Sequence, residues 1–429
     1  MNIKILPLLA PLLAASPVLV QAKTPEKVLA EAERYTVEVD VINAIGLQVD
    51  EGGSGYGTGF LVDQERGWLV TNAHVATRSP STIEISFKGG EPIEARRVHV
   101  DPVLDLAVLQ IDASLIPDNA ENAQLECASL PTQGAAVIAY GHPGGFRFTG
   151  SRGIVSGYTT KYLPSNFLMT DAQIDGGSSG GPLIRTDDGK VVGINTANAQ
   201  SKDLSVSFAE PIPAVCRVLE LLRSDEPAHA RHLDIGVATM DYNTRPLVAV
   251  IYGDQPNLRS SDLITHVDGS GPIENYADLL DKLRGAGDTV RLTVERDGSV
   301  LNVSANTYAV PDPLQAKAVD IAGLVISEAW ILDDGLVSSS YNLKVHFIDY
   351  DRAAGVTEAE IGARLVNADG QEFHTSQALY DYLTSLPEGQ EVRFVLRNET
   401  DRDLEYFRYD IVELPNEDVR LLSANGEAY

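Results

Sequence analysis

Three residue types that together perform nucleophilic acyl transfer occur in order along the first half of the chain. His74 lies in the segment TNAHV, Asp105 begins the apolar run of DPVLDLAVLQID, and Ser179 lies in the glycine-rich segment DAQIDGGSSGGPLI. A serine hydroxyl becomes a nucleophile when a histidine takes its proton and a carboxylate holds the imidazole in the required tautomer. Each residue type alone is commonly structural. Their joint occurrence in the order His, Asp, Ser predicts a catalytic triad.

The glycines around Ser179 predict a tight loop that stabilises a developing oxyanion. Glycine tolerates backbone conformations that other residues avoid, so the N–H groups of Gly177, Ser178 and Ser179 are expected to converge on one point. Ser178 is a rival nucleophile by residue type only, because the position of the motif favours Ser179. The sequence therefore predicts an oxyanion hole built from these three N–H groups.

Short apolar runs separated by Gly, Pro, Asn and Asp occupy residues 23–223. Strands of this length with frequent turn residues indicate an all-β barrel or sandwich, and the order of the triad is typical of a double β-barrel. A helical pattern over residues 212–223 ends this part. The charged stretch 224–229 is predicted to be a linker.

Two similar stretches follow, over residues 233–307 and 321–414, and each predicts strands, a helix and further strands in the same order. A repeated module of this length is more often an interaction domain than a catalytic one. The predicted boundaries are 1–22 for a signal peptide, 23–223 for a protease-like domain, 230–308 and 316–415 for the two modules, and 416–429 for a C-terminal tail.

The N-terminal segment predicts export. Lys4 is followed by an apolar run over residues 5–20, and Val20-Gln21-Ala22 suits a signal peptidase, so cleavage is expected after Ala22. An uncleaved membrane anchor is the alternative, but the run is short for a spanning helix and contains prolines. The predicted location is periplasmic or secreted.

Charge and cysteine content restrict the partners. The formal net charge is −28, from 61 acidic and 33 basic residues, which disfavours binding to nucleic acid or anionic lipid. An oxidising compartment would permit one disulfide between Cys127 and Cys216, but both lie among apolar residues, which favours two buried thiols. No metal-ligand spacing occurs, so neither a metal nor a cofactor is predicted.

The triad segments, together with AYGHPGGFRFTGSRGIVSG and VVGINTANAQSKDLSVSFAEPIPAV, resemble the HtrA/Deg-type serine proteases. The resemblance implies a mainly β chain, with a chymotrypsin-like double β-barrel followed by two PDZ-like α+β domains. It also implies an endopeptidase that acts on unfolded or misfolded envelope proteins in protein quality control, and a trimer-based homo-oligomer. The strand implied to pair with substrate consists of Asn195, Thr196, Ala197 and Asn198.

A PDZ groove receives a peptide C-terminus by strand addition, with backbone N–H groups binding the terminal carboxylate. The carboxylate loops implied by the resemblance are Asp234, Ile235, Gly236 and Val237 in the first module and Ile321, Ala322, Gly323 and Leu324 in the second. Asp234 places a charge beside an incoming carboxylate. A purely structural role for one of the two modules is an equal alternative.

The chain departs from the family pattern beside the nucleophile. Asp175-Gly176-Gly177-Ser178 stands where the family usually has Asn-Pro-Gly-Asn, which predicts a loosened loop that a substrate or partner must set. His142 lies in a glycine turn and is predicted to be structural rather than a second base. Residues 51–55 are short where some relatives have a long regulatory loop.

Two other functions remain open at this point. One is a peptide-binding chaperone or scaffold whose protease fold is silent or tightly gated, and the other is a processing protease with a single substrate. The sequence leaves open the residue preferred before the cut, the physiological substrate and the activating signal.

Overall fold

The structure is a computed structural model that describes residues 22–43, 45–47, 50, 53–77, 79–159, 166–200, 205–238, 245–329, 332–333, 336–337, 342–353, 356, 361–398 and 408–423. The signal peptide predicted over residues 1–22 lies outside the described residues except for Ala22. None of the described helices is long and apolar enough to cross a membrane.

The first β-barrel is closed by six strands in the order β1-β2-β3-β6-β5-β4. These strands are β1 (Thr36–Asn43), β2 (Gly53–Asp63), β3 (Trp68–Asn72), β4 (Ser81–Phe87), β5 (Ile93–Asp101) and β6 (Leu106–Gln110). Along β1, Val37, Val39 and Val41 are buried while Ile42 is 63% exposed. Successive side chains of a strand point to opposite faces, so the valines fill the barrel interior.

The second β-barrel is closed by six strands in the order β10-β11-β12-β9-β8-β7. These strands are β7 (Ala136–Gly141), β8 (Thr149–Thr159), β9 (Phe167–Thr170), β10 (Pro182–Arg185), β11 (Val191–Gln200) and β12 (Ser205–Pro211). Val137 and Ala139 of β7 lie in the core of this barrel, while Ile138 and Tyr140 belong to the larger cluster that includes the first barrel. The two faces of β7 therefore join the two cores.

Helix α1 (Pro25–Ala32) precedes the barrels, α2 (Ala73–Ala76) follows β3, and α3 (Ile212–Arg223) follows β12. Val215, Val218 and Leu219 of α3 pack into the cluster of the first barrel. This packing brings Cys216 to Cys127, an exposed residue of the connection between the barrels, and the two form a disulfide. The prediction of two buried thiols is therefore wrong, because the return of α3 across the domain is not visible in local sequence.

The first C-terminal module, residues 231–309, is an antiparallel sheet in the order β14-β15-β16-β17-β18 with one helix. Its elements are β13 (Arg231–His232), β14 (Ile235–Ala238), β15 (Leu247–Ile251), β16 (Leu263–Val267), α4 (Tyr276–Leu283), β17 (Thr289–Arg296), β18 (Ser299–Asn306) and β19 (Tyr308–Ala309). Strands β13 and β19 pair with each other at the base of the module.

The second C-terminal module, residues 317–423, contains a sheet in the order β27-β26-β25-β24-β21-β20-β28. Its elements are β20 (Lys317–Ile321), β21 (Leu324–Ala329), the hairpin β22 (Leu332–Asp333) and β23 (Leu336–Val337), β24 (Asn342–Ile348), β25 (Arg364–Ala368), α5 (Ser376–Ser385), β26 (Glu391–Asn398), β27 (Arg408–Pro415) and β28 (Arg420–Ser423). Since β28 pairs with β20, the predicted tail over residues 416–429 is wrong for residues 420–423.

Candidate active site

Asp105 and His74 are in direct contact. Oδ2 of Asp105 lies 2.7 Å from Nδ1 of His74, and Oδ1 accepts the backbone N–H of His74 at 3.0 Å. One carboxylate therefore orients both the imidazole and the backbone that carries it. Because Nδ1–H donates to the carboxylate, Nε2 carries the lone pair, which is the tautomer that a general base requires.

Asp105 has a left-handed backbone conformation, with φ of +48°. This conformation costs an L-residue roughly 1–2 kcal/mol. The carbonyl of Asp105 accepts hydrogen bonds from the N–H of Ala73 at 3.0 Å and from Nδ2 of Asn72 at 2.9 Å. Together with the two bonds to His74, these contacts impose the conformation that aims the carboxylate at the imidazole.

Ser179, His74 and Gly177 line one cleft between the barrels. Oγ of Ser179 donates to the carbonyl of Thr196 at 3.0 Å. Transfer of its proton to His74 therefore requires the hydroxyl to turn from this carbonyl toward the imidazole. The structure therefore places His74 and Ser179 in one cleft, with Asp105 in contact with His74.

Residues 175–179 form the loop before the nucleophile, which we name the oxyanion loop. Gly177 has φ of +94°, and a Cβ there would lie 2.4 Å from the carbonyl oxygen of His142. A Cβ at Gly180, just after the loop, would lie 2.0 Å from the carbonyl oxygen of Thr58. Both positions therefore require glycine. The N–H groups of Gly177 and Ser179 have no hydrogen-bond acceptor within the described part of the chain.

Ser178 does not contribute as predicted. Its N–H donates to the carbonyl of Asp175 at 2.8 Å and closes a turn inside the oxyanion loop. The prediction of Ser178 as an oxyanion donor is therefore wrong. Ser178 is only 3% exposed, so its hydroxyl is less accessible to a substrate than that of Ser179.

The oxyanion loop is held at three successive residues. The carboxylate of Asp175 accepts from Nε2 of Gln173 at 2.6 Å and from Nδ2 of Asn198 at 3.4 Å. The carbonyl of Gly176 accepts the N–H of Gly144 at 2.7 Å, and that of Gly177 accepts from Oγ1 of Thr58 at 2.7 Å. This differs from the loosened loop predicted from Gly176, because neighbouring elements supply the anchors that the loop sequence lacks.

The predicted substrate strand begins one residue too early. The N–H of Asn195 donates to the carbonyl of Gly181 and its carbonyl accepts the N–H of Gly180, both at 2.8 Å. Asn195 therefore has no backbone group left for a substrate, and its assignment is wrong. Thr196, Ala197 and Asn198 continue along β11, where β12 pairs on one side and the pairing with β10 ends at Ile194. Among the described residues, the other edge of this stretch has no strand partner.

Two polar residues of this site were not singled out from the sequence. Nδ2 of Asn72 donates to the carbonyl of Asp105 and, at 3.1 Å, to Oγ1 of Thr196, which links the first barrel to the second. The N–H of Thr58 donates to the carbonyl of Ser179 at 2.8 Å. A usable signal existed for each, since Asn72 stands two residues before His74 and Thr58 stands between two glycines in GTGF.

The predicted carboxylate loop of the first module lies at the edge of its sheet. The N–H of Asp234 donates to Nδ1 of His232 at 3.1 Å, so it is not available to a ligand carboxylate. The prediction of Asp234 as a member of the carboxylate loop is therefore wrong. Ile235, Gly236 and Val237 lie in β14, which pairs with β15 on one side. Within the described residues, no strand lies on its other side.

The predicted carboxylate loop of the second module is a hairpin turn. Ile321 ends β20, Leu324 begins β21, and the two residues between them have φ of +46° and +92°. The N–H of Ala322 donates to the carbonyl of Glu417 at 3.2 Å, and that of Gly323 donates to Oδ1 of Asp320 at 3.1 Å. The prediction of a carboxylate loop here is wrong, because these N–H groups already have acceptors.

Residues 57–194 match the family model of the trypsin-like peptidase domain. The probable periplasmic serine endoprotease DegP-like of Halomonas elongata is 28% identical over 78% of this chain and 75% of its own length. The periplasmic serine endoprotease DegP of Escherichia coli K12 is 28% identical over 58% of this chain and 56% of its own length. The chain therefore spans three quarters of the first relative and little more than half of the second.

A solved structure of the HtrA-type protease AlgW with a tripeptide resembles the fold, with a TM-score of 0.54 and 24% identity over 67% of this chain and 97% of that chain. The two closed six-stranded barrels therefore contain a trypsin-like peptidase domain over residues 57–194, and the chain is similar to serine endoproteases of the DegP type.

Proposed function

We propose that the chain is an exported endopeptidase that hydrolyses unfolded or misfolded envelope proteins through His74, Asp105 and Ser179. The observation that carries this proposal is the Asp105 carboxylate, which binds both Nδ1 and the backbone N–H of His74 in the cleft that contains Ser179. No other described group in this cleft combines a nucleophile with an oriented base.

The proposed reaction is acyl transfer followed by hydrolysis. Oγ of Ser179 forms a bond to the scissile carbonyl carbon while Nε2 of His74 takes its proton. The N–H groups of Gly177 and Ser179 bind the oxyanion, and His74 then returns the proton to the leaving amine as the C–N bond breaks. Water attacks the acyl-enzyme with His74 again as the base, which releases the acid and restores Ser179.

The substrate class follows from the open edge of β11. Thr196, Ala197 and Asn198 offer backbone groups on the side that β10 no longer covers. An extended segment pairs with such an edge by strand addition, and unfolded chains supply extended segments without first losing native contacts. This supports a preference for unfolded protein over a folded partner.

The export proposal has two supports. The relatives reported above are named periplasmic proteins, and the Cys127–Cys216 disulfide is of the kind that persists in an oxidising compartment. We expect a signal peptide to be removed after Ala22. N-terminal sequencing of the protein from the periplasm should begin at Lys23, and an intact N-terminus there would contradict cleavage.

The C-terminal modules and the assembly belong to the same proposal. The edge of β14 in the first module is suited to engage the C-terminus of a substrate or partner, as a PDZ domain does. A trimer-based homo-oligomer is expected for the protease domain. Sedimentation of the Ser179→Ala protein should give three times the monomer mass or a multiple of it, and a monomer would contradict this.

The enzyme proposal is tested with casein as an unfolded substrate. Wild-type protein should cleave it, and Ser179→Ala should lose at least about 10⁴-fold in rate while keeping the fold. Ser178→Ala is the matched control and should remain active. Equal, near-zero cleavage by wild type and Ser179→Ala, with and without unfolded-protein activators, would overturn the proposal in favour of a chaperone or scaffold with a silent fold.

A further inference from the structure

The turn Pro143–Gly145 and the residue before it lie directly behind the oxyanion loop. The N–H of Gly144 donates to the carbonyl of Gly176 at 2.7 Å. The peptide bond between Gly176 and Gly177 is trans, so its C=O and N–H point in opposite directions. A carbonyl held against the turn therefore directs the N–H of Gly177 away from the turn.

Thr58 holds the next peptide of the loop. Its hydroxyl is fully buried and lies 2.7 Å from the carbonyl of Gly177. The same oxygen lies 2.9 Å from Nδ1 of His142 and accepts the backbone N–H of His142 at 3.2 Å. A hydroxyl has one proton, and a carbonyl can only accept. The proton of Thr58 therefore goes to Gly177, and Nδ1 of His142 must be the donor to Oγ1.

The surroundings of His142 favour this tautomer. The residue is fully buried, and Nε2 has no hydrogen-bond partner among the described residues. A proton on Nε2 would be a buried donor without an acceptor, and Nδ1 would then compete with Gly177 for the hydroxyl proton. Burial, and secondly the nearby Arg147, lowers the pKa of His142 to about 4, so the ring is neutral at neutral pH.

Thr58 also holds the nucleophile and its neighbours by its backbone. Its N–H donates to the carbonyl of Ser179 at 2.8 Å, and its carbonyl accepts from Oγ1 of Thr71 at 2.7 Å. Every hydrogen-bonding group of Thr58 is thus used, and two of them bind the segment that carries Gly177 and Ser179.

Resting on the function proposed above, we propose that Thr58 and His142 are positioning residues for the oxyanion hole. His142 directs the hydroxyl of Thr58, and that hydroxyl fixes the carbonyl of Gly177 and with it the orientation of the loop. Neither side chain touches the substrate. Their effect falls on the transition state, in which the N–H of Gly177 binds negative charge, rather than on substrate binding.

Steady-state kinetics with a peptide substrate test the role of Thr58. Thr58→Val removes the hydroxyl and keeps the shape, and kcat should fall by about 10²-fold with KM within about 2-fold. Thr58→Ser keeps the hydroxyl and is the matched control, so kcat should stay within about 3-fold of wild type. A kcat of Thr58→Val within 2-fold of wild type, or an effect on KM alone, would overturn the proposal.

The role of His142 is tested by a second pair of variants. In His142→Asn the side-chain amide can donate from the position of Nδ1, whereas His142→Leu has no donor. We expect His142→Asn to keep most of kcat and His142→Leu to lose it as Thr58→Val does. The double variant Thr58→Val/His142→Leu should be no worse than either single variant, because both break one chain of contacts. Equal kcat for the Asn and Leu variants would remove His142 from the proposal.

A measurement without turnover separates this proposal from the proposed function. In ¹⁵N NMR of the Ser179→Ala protein at pH 7, the ring of His142 should carry its proton on Nδ1 and none on Nε2, and Thr58→Val should change that signal. A proton on Nε2 would overturn the proposal whether or not the enzyme is active. Absence of Ser179-dependent cleavage with the expected tautomer would instead overturn the proposed function.

Discussion

The two C-terminal modules have the same order of elements but differ at the edge of the sheet. Apart from the hairpin β22–β23 of the second module, one strand is followed in each by two more strands, a helix and two final strands, from β14 to β18 and from β21 to β27. In the first module β14 is the outermost strand of the described sheet. In the second, β20 pairs along the equivalent strand β21, and β28 pairs along β20.

Strand β20 lies where a strand-adding peptide would lie. Val319 and Ile321 face the core of the second module, while Ala318 faces the protease domain. The buried carboxylate of Asp320 accepts the N–H of Gly323 and pairs with Arg352 and Arg420. An acidic side chain of the chain itself therefore occupies the turn that was expected to bind a terminal carboxylate. Residues outside the repeated order of elements therefore decide whether the edge of the sheet is open.

The modules also differ in how they attach to the protease domain. Arg284, at the end of α4, forms an ion pair with Asp101 in which both side chains are almost completely buried. The second module instead contacts the protease domain through Leu47, which packs with Ala318, Val325 and Leu422. The first attachment thus adds a buried ion pair to the packing of Val103 in the core of the first module, and the second is apolar.

Asp101 also connects the first module to the triad. Its Oδ1 accepts the N–H groups of Val103 and Leu104, in the loop that leads to Asp105. Burial, the largest single influence, would raise the pKa of Asp101, but Arg284, His99 and the N–H of Leu104 together outweigh it and the pKa is lowered. The Asp101 carboxylate is therefore ionised, and keeping this buried charge requires the guanidinium of Arg284.

The largest expected effect comes from breaking the ionic attachment. Arg284→Met leaves Asp101 as a buried charge without its partner, and the free energy of unfolding should fall by about 3–5 kcal/mol. Urea denaturation in a Ser179→Ala background measures this without autolysis. The double variant Asp101→Asn/Arg284→Met removes both charges and should recover most of the loss. A loss below about 1 kcal/mol for Arg284→Met would contradict a buried ion pair.

The apolar attachment should be the weaker of the two. Leu47 is 1% exposed, and Leu47→Ala should cost about 2–5 kcal/mol at the contact with the second module. Hydrogen exchange should speed up in β20 and β28 and stay unchanged in β14 to β18. Leu115→Ala is the matched control, since Leu115 is 54% exposed. Unchanged exchange in β20 would refute the contact.

Lowering the pH should destabilise the attachment of the first module and leave that of the second module unchanged. His99 packs against His229 beside the ion pair, and burial lowers its pKa to about 4, with Asp101 opposing and His229 and Arg284 reinforcing the shift. Between pH 4 and about 6.5 the unfolded chain binds a proton that the folded chain does not. The free energy of unfolding therefore suffers no loss from His99 above pH 6.5. It falls as the pH drops from 6.5 toward 4, by at most about 1.4 kcal/mol per pH unit.

Urea midpoints between pH 4.5 and 7 measure this dependence. His142→Asn serves as the background, because His142 titrates with the same sign. Adding His99→Asn should flatten the slope. If the slope with and without His99 were the same, this histidine would not be the group responsible.

The smallest expected effect is a local change in hydrogen exchange when a peptide binds at the edge of β14. An excess of a peptide with an apolar C-terminus should slow hydrogen exchange in β14 and leave β21 unchanged, because β14 is an outermost strand of its described sheet whereas β21 lies between β20 and β24. The same peptide with an amidated C-terminus is the control and should bind less tightly. Protection of β21 would mean that the peptide displaces β20, and would contradict a closed edge in the second module.

Local sequence predicted what depends on residue type and spacing. The order of His74, Asp105 and Ser179 indicated the double barrel, and in the structure His74 and Ser179 line one cleft while Asp105 contacts His74. The glycine pattern also located the oxyanion loop. The glycine pattern failed at Ser178 and the family resemblance failed at Asn195, because the backbone groups that a segment uses internally depend on the partners that approach it.

The remaining features join residues that are far apart along the chain. The disulfide between Cys127 and Cys216 spans 89 residues, and the strand that closes the second module comes from beyond its expected end. Thr58 meets Gly177 and His142 only because two barrels pack face to face. Motif and periodicity were enough to indicate the chemistry and the strand pattern of this chain, since those follow from neighbouring residues. The open or closed state of each edge and the anchoring of the oxyanion loop were decided by tertiary packing, because their hydrogen-bond partners come from other elements.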